Sequence, residues 1–367
     1  MEKFYYEDMA AIGVDAVSIY APATEYIPEI ISQVERLIKK GFAYETMGSV
    51  YFDVRKFDEY GRLSGQKISE LKEGVRNEVE PGKKYFADFA VWKEAKTGEP
   101  SWPSPWGEGR PGWHIEDTAI TEKHFGPRYH LHGGGRDLIF PHHEAEIAQM
   151  EAVSGLKPLA QIWIHTGLLQ VQGEKMAKSV GNFITIRDFL KKHSKETLRY
   201  LVLASHYRTP LDFSPKLVEM AQASIQRISD FIGRLQTVTE TASSFLVADF
   251  INSFWKELAD DFNTPQALAV LFELIKETNK LMDTHSLLHT DAKKIIDFIN
   301  EVNDIWGILA KEEKIPAEIM ALAQERDRAR TSGDFNKADE LRAQIKNQGW
   351  DIDDTSTGPR INKMSKA

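Results

Sequence analysis

The stretch Tyr129-His130-Leu131-His132-Gly133-Gly134-Gly135-Arg136-Asp137-Leu138-Ile139-Phe140-Pro141-His142-His143-Glu144-Ala145-Glu146 decides how this 367-residue chain is read. It opens as a strand, Tyr129–His132, and passes through three glycines. A helix then runs from Pro141 to Ser154, closed by Gly155. A second strand follows at Ile162–Leu168, so the order is strand, helix, strand and the pairing it predicts is parallel. In parallel sheets, ligands lie at the carboxyl ends of the strands. His132, Gly133, Gly134, Gly135 and the loop after Leu168 fall there.

On the N-terminal side, Pro28 opens a helix with Ile30, Ile31, Val34, Leu37 and Ile38 on one stripe, and Gly41 ends it. Val50, Phe52 and Val54 alternate after Gly48 and predict a hairpin strand. Gly98–Gly112 holds too much proline and glycine for regular structure and reads as a long, tryptophan-bearing loop. On the C-terminal side the chain turns helical. Pro265 starts one clear helix with Thr264 as its expected N-cap and Leu268, Leu271, Phe272 and Ile275 on a common face. Residues 311–367 form a small charged module with glycine-marked turns.

Composition removes several classes of function. The chain has no cysteine, which excludes disulfides, thiolate nucleophiles and thiolate zinc sites. No run approaches the ~18 apolar residues of a membrane span, and the opening MEKFYYEDMAAIG lacks a signal-peptide layout. No membrane partner and a cytoplasmic location are expected. The net charge of −9 argues against a uniformly basic nucleic-acid coat. One segment runs the other way. Between Glu174 and Arg208 eight basic residues face three acidic ones, a net of +5. Such a patch is either a solvated helix face or a place to which a polyanion is steered.

Two further features bear on chemistry. Lys175 and Lys178 lie three apart on a glycine-flanked loop before a helix. There they can meet the phosphates of ATP as pyrophosphate leaves, or simply sit in solvent. His142 and Glu146 stand at i and i+4 on one helix face, a spacing that suits either a surface hydrogen bond or metal chelation.

The blocks around these residues are more specific. His132–Glu144 resembles the HGGG-x-DL-x-FPHH-[ED]-x-E block of cysteinyl-tRNA synthetases, class I aminoacyl-tRNA synthetases. Gly112-Trp113-His114-Ile115-Glu116 resembles that family's GWHIEC block, and Pro100–Pro111 its PSWPSPWG-x-GRP stretch. Lys175–Ser179 resembles the KMSKS signature, with Ala177 in place of the first serine. The similarity runs from residue 1 to about 360.

The resemblance implies an α/β, Rossmann-like class I catalytic domain, incomplete in this sequence, then an α-helical bundle and a small C-terminal anticodon-binding module. The expected divisions are 1–170 for the catalytic part, with an inserted connective segment over about 43–112, and 171–215 for the KMSKS loop and stem-contact region. The helical bundle would span 216–310 and the anticodon-binding module 311–367. The implied reaction is ATP-dependent activation of cysteine and transfer to tRNA(Cys), with Mg2+ accompanying ATP. Lys175 and Lys178 are the implied catalytic lysines. Gly133, Gly134, Gly135, Asp137 and Lys178 would hold ATP, and Trp113 and His114 would border the substrate pocket.

His142 and Glu146 match two zinc ligands of the family, and Asp117 stands where a third ligand is a cysteine. The implied site of Asp117, His142 and Glu146 is therefore harder, and weaker for Zn2+, than one containing thiolates. The family's HIGH motif is not found in this sequence. A separate N-terminal synthetase fragment is one expected partner, and a non-catalytic tRNA-binding paralogue is the alternative reading.

Overall fold

The computed structural model describes residues 2–70, 82–171, 173–176, 181–240, 246–310, 316–355 and 358–363. The chain divides into two compact units, Met1–Ile308 and Leu309–Ala367.

In the first unit, helix α1 (Glu2–Ala11) precedes α2 (Ile27–Lys39). Helix α2 starts with proline in its first turn, as its sequence requires, and buries Ile27, Ile30, Gln33, Val34 and Leu37. A hairpin follows, β1 (Ala43–Thr46) and β2 (Ser49–Phe52), joined through Met47 and Gly48, both at positive φ. Strands β3 (Phe89–Glu94) and β4 (Gly109–Pro111) extend it into an antiparallel sheet in the order β1-β2-β3-β4. The expected Gly98–Gly112 loop is thus shorter than its composition suggests. Its end pairs with β3, and Trp102 bridges to Gly109.

Helix α3 (Trp113–Phe125) leads into β5 (Tyr129–Gly135). A 3-10 turn at Arg136–Leu138 and a wide turn at Ile139–His143 come before helix α4 (Glu144–Ser154). Strand β6 (Ala160–Thr166) returns parallel to β5, with Leu131 opposite Ile162 and Gly135 opposite Thr166. The strand–helix–strand expectation is met, with two corrections. Gly133–Gly135, beyond the expected strand end at His132, continue β5, because without side chains they still satisfy the ladder with Ile164–Thr166. The α-helix begins at Glu144 rather than Pro141, because Phe140 is extended at φ −134° and ψ 131°.

Ten consecutive residues of α4, Glu144–Val153, are buried. Of its three acidic members, two, Glu144 and Glu151, accept from named donors. Glu144 accepts the backbone N–H groups of Gly61 at 3.0 Å and Ser64. Glu151 accepts from Arg62 at 2.8 Å and from the Leu159 N–H at 3.0 Å. These bonds fasten the segment after β2 across the helix that carries Glu146 toward the site.

A small sheet continues the chain, β7 (Leu169–Val171), β8 (Glu174–Lys175) and, after the short helix α5 (Ile186–Leu190) and helix α6 (Lys195–Leu203), β9 (Leu211–Phe213) parallel to β7. Four longer helices complete the unit: α7 (Pro215–Leu235), α8 (Val247–Ala259), α9 (Thr264–Asp283) and α10 (His289–Trp306). The cap of α9 is Asn263, whose side chain accepts the Gln266 N–H, and not Thr264, which is already helical.

In the second unit, α11 (Ala317–Thr331) and α12 (Phe335–Asn347) pair through a turn at Gly333, φ 80°. Gly349, φ 83°, leads into the hairpin β10 (Trp350–Thr355) and β11 (Gly358–Lys363). Ile319, Ala323, Ile345, Trp350 and Ile352 form its core.

Candidate active site at the carboxyl end of the parallel pair

Helix α3 brings Trp113, His114 and Asp117 toward the start of α4, where His142 sits in the turn just before the helix and Glu146 in its first turn. Nε2 of His142 lies 2.9 Å from Asp117 Oδ2 and 2.8 Å from Glu146 Oε1. Asp117, His142 and Glu146 offer one donor atom each, all within 4.8 Å of one another. The i, i+4 spacing of His142 and Glu146 therefore faces inward, and the surface-bond reading fails because Glu146 is fully buried.

Glu146 also decides whether these residues suit a cation. Both of its oxygens are buried with no hydrogen-bond partner, although imidazole nitrogens of His142 and His132 approach within 2.8 and 3.3 Å. A buried carboxylate whose neighbouring imidazoles are not aligned to donate is costly, and a metal ion would meet that need. The N, O, O donor set with an open side fits a three-ligand zinc site without the softness of a thiolate.

The electrostatics agree with this crowding. Burial raises the Glu146 carboxyl to about 7, against the opposing pull of His142. At His142, burial disfavours the charged ring, but Asp117 and Glu146 outweigh it and lift the pKa to about 9. Burial drives His114 and His143 down to about 3 and His132 to about 4, keeping those rings neutral.

The other sequence-derived residues fall in three places. Trp113 is exposed and stacks on His142 with ring centroids 4.3 Å apart, so it borders the open side of the cluster. His114 is buried behind His142, with the two Nδ1 atoms 2.7 Å apart, where it orients the ring. Asp137, in the turn after β5, pairs with Lys175 Nζ at 2.9 Å, which brings the lysine loop to the carboxyl end of β5. Lys178 lies outside the described residues.

Gly133 and Gly134 differ in what surrounds them. A Cβ on Gly134 would stand 2.7 Å from His143 Cε1, whereas one on Gly133 would meet only Ile164 O at 3.8 Å. Gly135 leaves room for Asp137, whose Oδ1 would be 2.7 Å from a Cβ there.

Sequence reasoning missed a second layer. His132 stacks on Trp163 at 4.6 Å, and His143 Nδ1 lies 2.8 Å from His165 Nε2. Trp163 and His165 are two apart on β6, the period that puts both on one face, and that spacing was the available signal. The ladder that fixes α3 against α4 was also missed. Thr118 donates to Gln33 at 2.7 Å, and Gln149 donates to Thr118 at 2.6 Å and to the His114 carbonyl.

The +5 segment is largely engaged. Arg187 pairs with Glu7 and Asp8, Lys191 with Asp188 and Arg208 with Asp261, while Arg199 donates to the carbonyls of Trp306, Ile12 and Gly13.

A family model described as the tRNA synthetases class I (C) catalytic domain matches residues 1–223. The chain belongs to this family. A second model, the DALR domain, matches residues 253–310, which contain α9 and α10 and most of α8. A cysteine–tRNA ligase of Carboxydothermus hydrogenoformans is 42% identical over 372 residues, covering 98% of this chain and 80% of the relative. One of Thermoplasma acidophilum is 45% identical over 354 residues, covering 95% and 77%. Among solved structures, Mycobacterium tuberculosis methionyl-tRNA synthetase in complex with methionyl-adenylate matches with a TM-score of 0.54 at 14% identity, covering 77% of this chain and 69% of that one. That likeness concerns the fold. No helix among the described residues is long and apolar enough to cross a membrane.

Proposed function

We propose that this member of the class I (C) synthetase family is a cysteine–tRNA ligase that activates cysteine with ATP and Mg2+ and transfers it to tRNA(Cys). The carrying observation is the convergence of Asp117, His142 and Glu146 beside the exposed face of Trp113, at the carboxyl end of β5. Identity above 40% to cysteine–tRNA ligases over nearly the whole chain supports the same reading.

In the first step a carboxylate oxygen of cysteine attacks the α-phosphorus of ATP. The bond to the bridging oxygen breaks and pyrophosphate leaves. In the second step the terminal ribose hydroxyl of tRNA attacks the cysteinyl carbonyl and AMP departs. Asp117, His142 and Glu146 would hold zinc, which when bound supplies a Lewis-acid contact for the substrate thiol. Trp113 closes one side of that pocket, and His114 fixes the ring of His142 from behind. Lys175 and Lys178 neutralise charge on the departing pyrophosphate. In the resting arrangement Lys175 is held by Asp137, so binding of the nucleotide exchanges one anionic partner for another.

The HIGH motif, absent from this sequence, grips ATP from the side opposite the lysines. Residues 1–170 supply the catalytic part with its connective insertion at about 43–112, and 171–215 the lysine loop and stem contact. Residues 216–310 form the bundle, and 311–367 read the anticodon.

Cysteinylation of a tRNA(Cys) transcript, followed with labelled cysteine in the presence of a segment carrying the HIGH motif, tests the proposal. Formation of cysteinyl-tRNA that Lys178→Ala abolishes is expected. Tight tRNA binding without transfer under those conditions would favour the non-catalytic paralogue.

A further inference from the structure

The turn between α8 and α9 is built unlike its surroundings. Asp261 and Phe262 are consecutive non-glycine residues in the left-handed region, at φ 55° and 54°. For a bulky aromatic residue that backbone is strained. The Phe262 ring is 56% exposed to solvent. Strain and an exposed phenyl ring are both unfavourable for the isolated fold, so something must hold the turn.

The holding group is specific. Arg208 Nε and Nη2 donate to the two oxygens of Asp261 at 2.6 and 2.9 Å, and the Tyr207 hydroxyl donates to Oδ1 at 2.6 Å. These bonds keep the Asp261 carboxyl well below the usual carboxylate range. His206 stacks on Tyr207 with centroids 4.9 Å apart, stiffening the same segment.

That segment abuts the candidate active site. The Gly167 N–H, one residue beyond β6, donates to the Tyr207 carbonyl at 2.6 Å. A Cβ on Gly167 would fall 2.3 Å from Thr209 O, so the two backbones are in direct contact. Burial first, and then the charge of Arg208, disfavour protonation of His165. A strained turn carrying an exposed aromatic ring is thus clamped to the loop at the carboxyl end of β6, where the chemistry takes place.

From this placement we infer that Phe262 is a stacking platform for an unpaired base at the 3′ end of the bound tRNA, with the Arg208–Asp261 clamp as its support. The inference rests on the tRNA-ligase reading and adds the residue that grips the acceptor strand. Aromatic rings bind unpaired bases through their faces with little regard to sequence. A base held next to the mouth is the one whose sugar must reach the activated carboxyl group. The exposed phenyl ring matches a single strand, which offers a π-face at each step.

The test measures dissociation constants of the full chain for tRNA(Cys) and for the same tRNA trimmed of its single-stranded 3′ nucleotides. Trimming is expected to weaken wild-type binding about tenfold. Phe262→Leu should lose about the same factor on intact tRNA, and trimming should then cost nothing more. Phe262→Trp should restore the wild-type pattern. Phe262→Asn, which suits left-handed backbone, should fold at least as well and show the same loss as Phe262→Leu.

Wild-type affinity of Phe262→Leu and Phe262→Asn for intact tRNA would overturn the inference. So would a loss that persists undiminished on trimmed tRNA, since the ring would then act elsewhere. Failure of the wild-type chain to bind any tRNA would instead overturn the ligase reading, and this inference with it.

Discussion

Nε2 of His142 stands 2.8 Å from Oε1 of Glu146, one helical turn further along α4, and neither oxygen of that carboxylate has a hydrogen-bond partner. Opposite them, Asp117 occupies the third corner at 2.9 Å from the same nitrogen. The arrangement offers one imidazole nitrogen and two hard carboxylate oxygens to a metal ion.

The first prediction concerns that donor. Zinc is expected to be held weakly enough for a chelator to strip it during dialysis. Asp117→Cys should slow the stripping by at least tenfold, because a thiolate is the softer and better zinc ligand. Metal content after timed chelation measures this. One zinc per wild-type chain, retained through chelation, would show that the oxygen-containing triad suffices.

A second prediction separates two neighbouring glycines. Gly134→Ala should displace His143 and cost about 1–3 kcal/mol of stability, since its Cβ has no room. Gly133→Ala should be tolerated, with only Ile164 O nearby, 3.8 Å away. Thermal unfolding of the two variants gives the comparison, and equal destabilisation would contradict it.

A third prediction concerns pH. Arg36 Nη1 donates to Glu122 Oε1 at 2.9 Å, Nη2 reaches Oε2, and Gln33 adds a bond of 2.8 Å. Burial alone would raise the Glu122 carboxyl, but these donors outweigh it and hold it below its ordinary value of 4.5. A lowered carboxyl pKa contributes stability above 4.5 that is lost as pH falls through the folded value. Arg36→Met should therefore cost about 1–2 kcal/mol at pH 7, allowing for solvent screening of the half-exposed arginine. The difference from wild type should shrink as pH drops below 4.5. Urea unfolding across that range measures it, and a difference independent of pH would contradict it.

The βαβ unit was legible because its signals are local: strand propensity, a glycine stop and a helical stripe. So was the i, i+4 pair of His142 and Glu146. The site's second layer was not. Trp163 and His165 come from β6, and Gln33 comes from α2, more than eighty residues before its partner Thr118. No local pattern announces such contacts, which exist only once the helices and strands are packed. The pairing of the +5 segment was hidden for the same reason. Glu7 and Asp8, which neutralise Arg187, lie about 180 residues away in sequence.

A fourth prediction concerns tRNA. Binding by the full chain should weaken steeply with salt, because each neutralised phosphate releases counterions. Removing residues 311–367 should erase preference for the cysteine anticodon and leave salt-dependent binding. Filter binding with anticodon variants decides it, and equal affinity of the full chain for all of them would contradict the anticodon assignment.

The central claim is that this chain's pocket selects cysteine for adenylation. Amino-acid-dependent ATP–pyrophosphate exchange, measured on the chain supplied with a segment carrying the HIGH motif from a relative, tests it most directly. Exchange is expected with cysteine, at least a hundredfold less with serine, and with a fall of about 10²–10³ in rate for Lys178→Ala. Exchange supported equally by serine, or unaffected by Lys178→Ala, would contradict it.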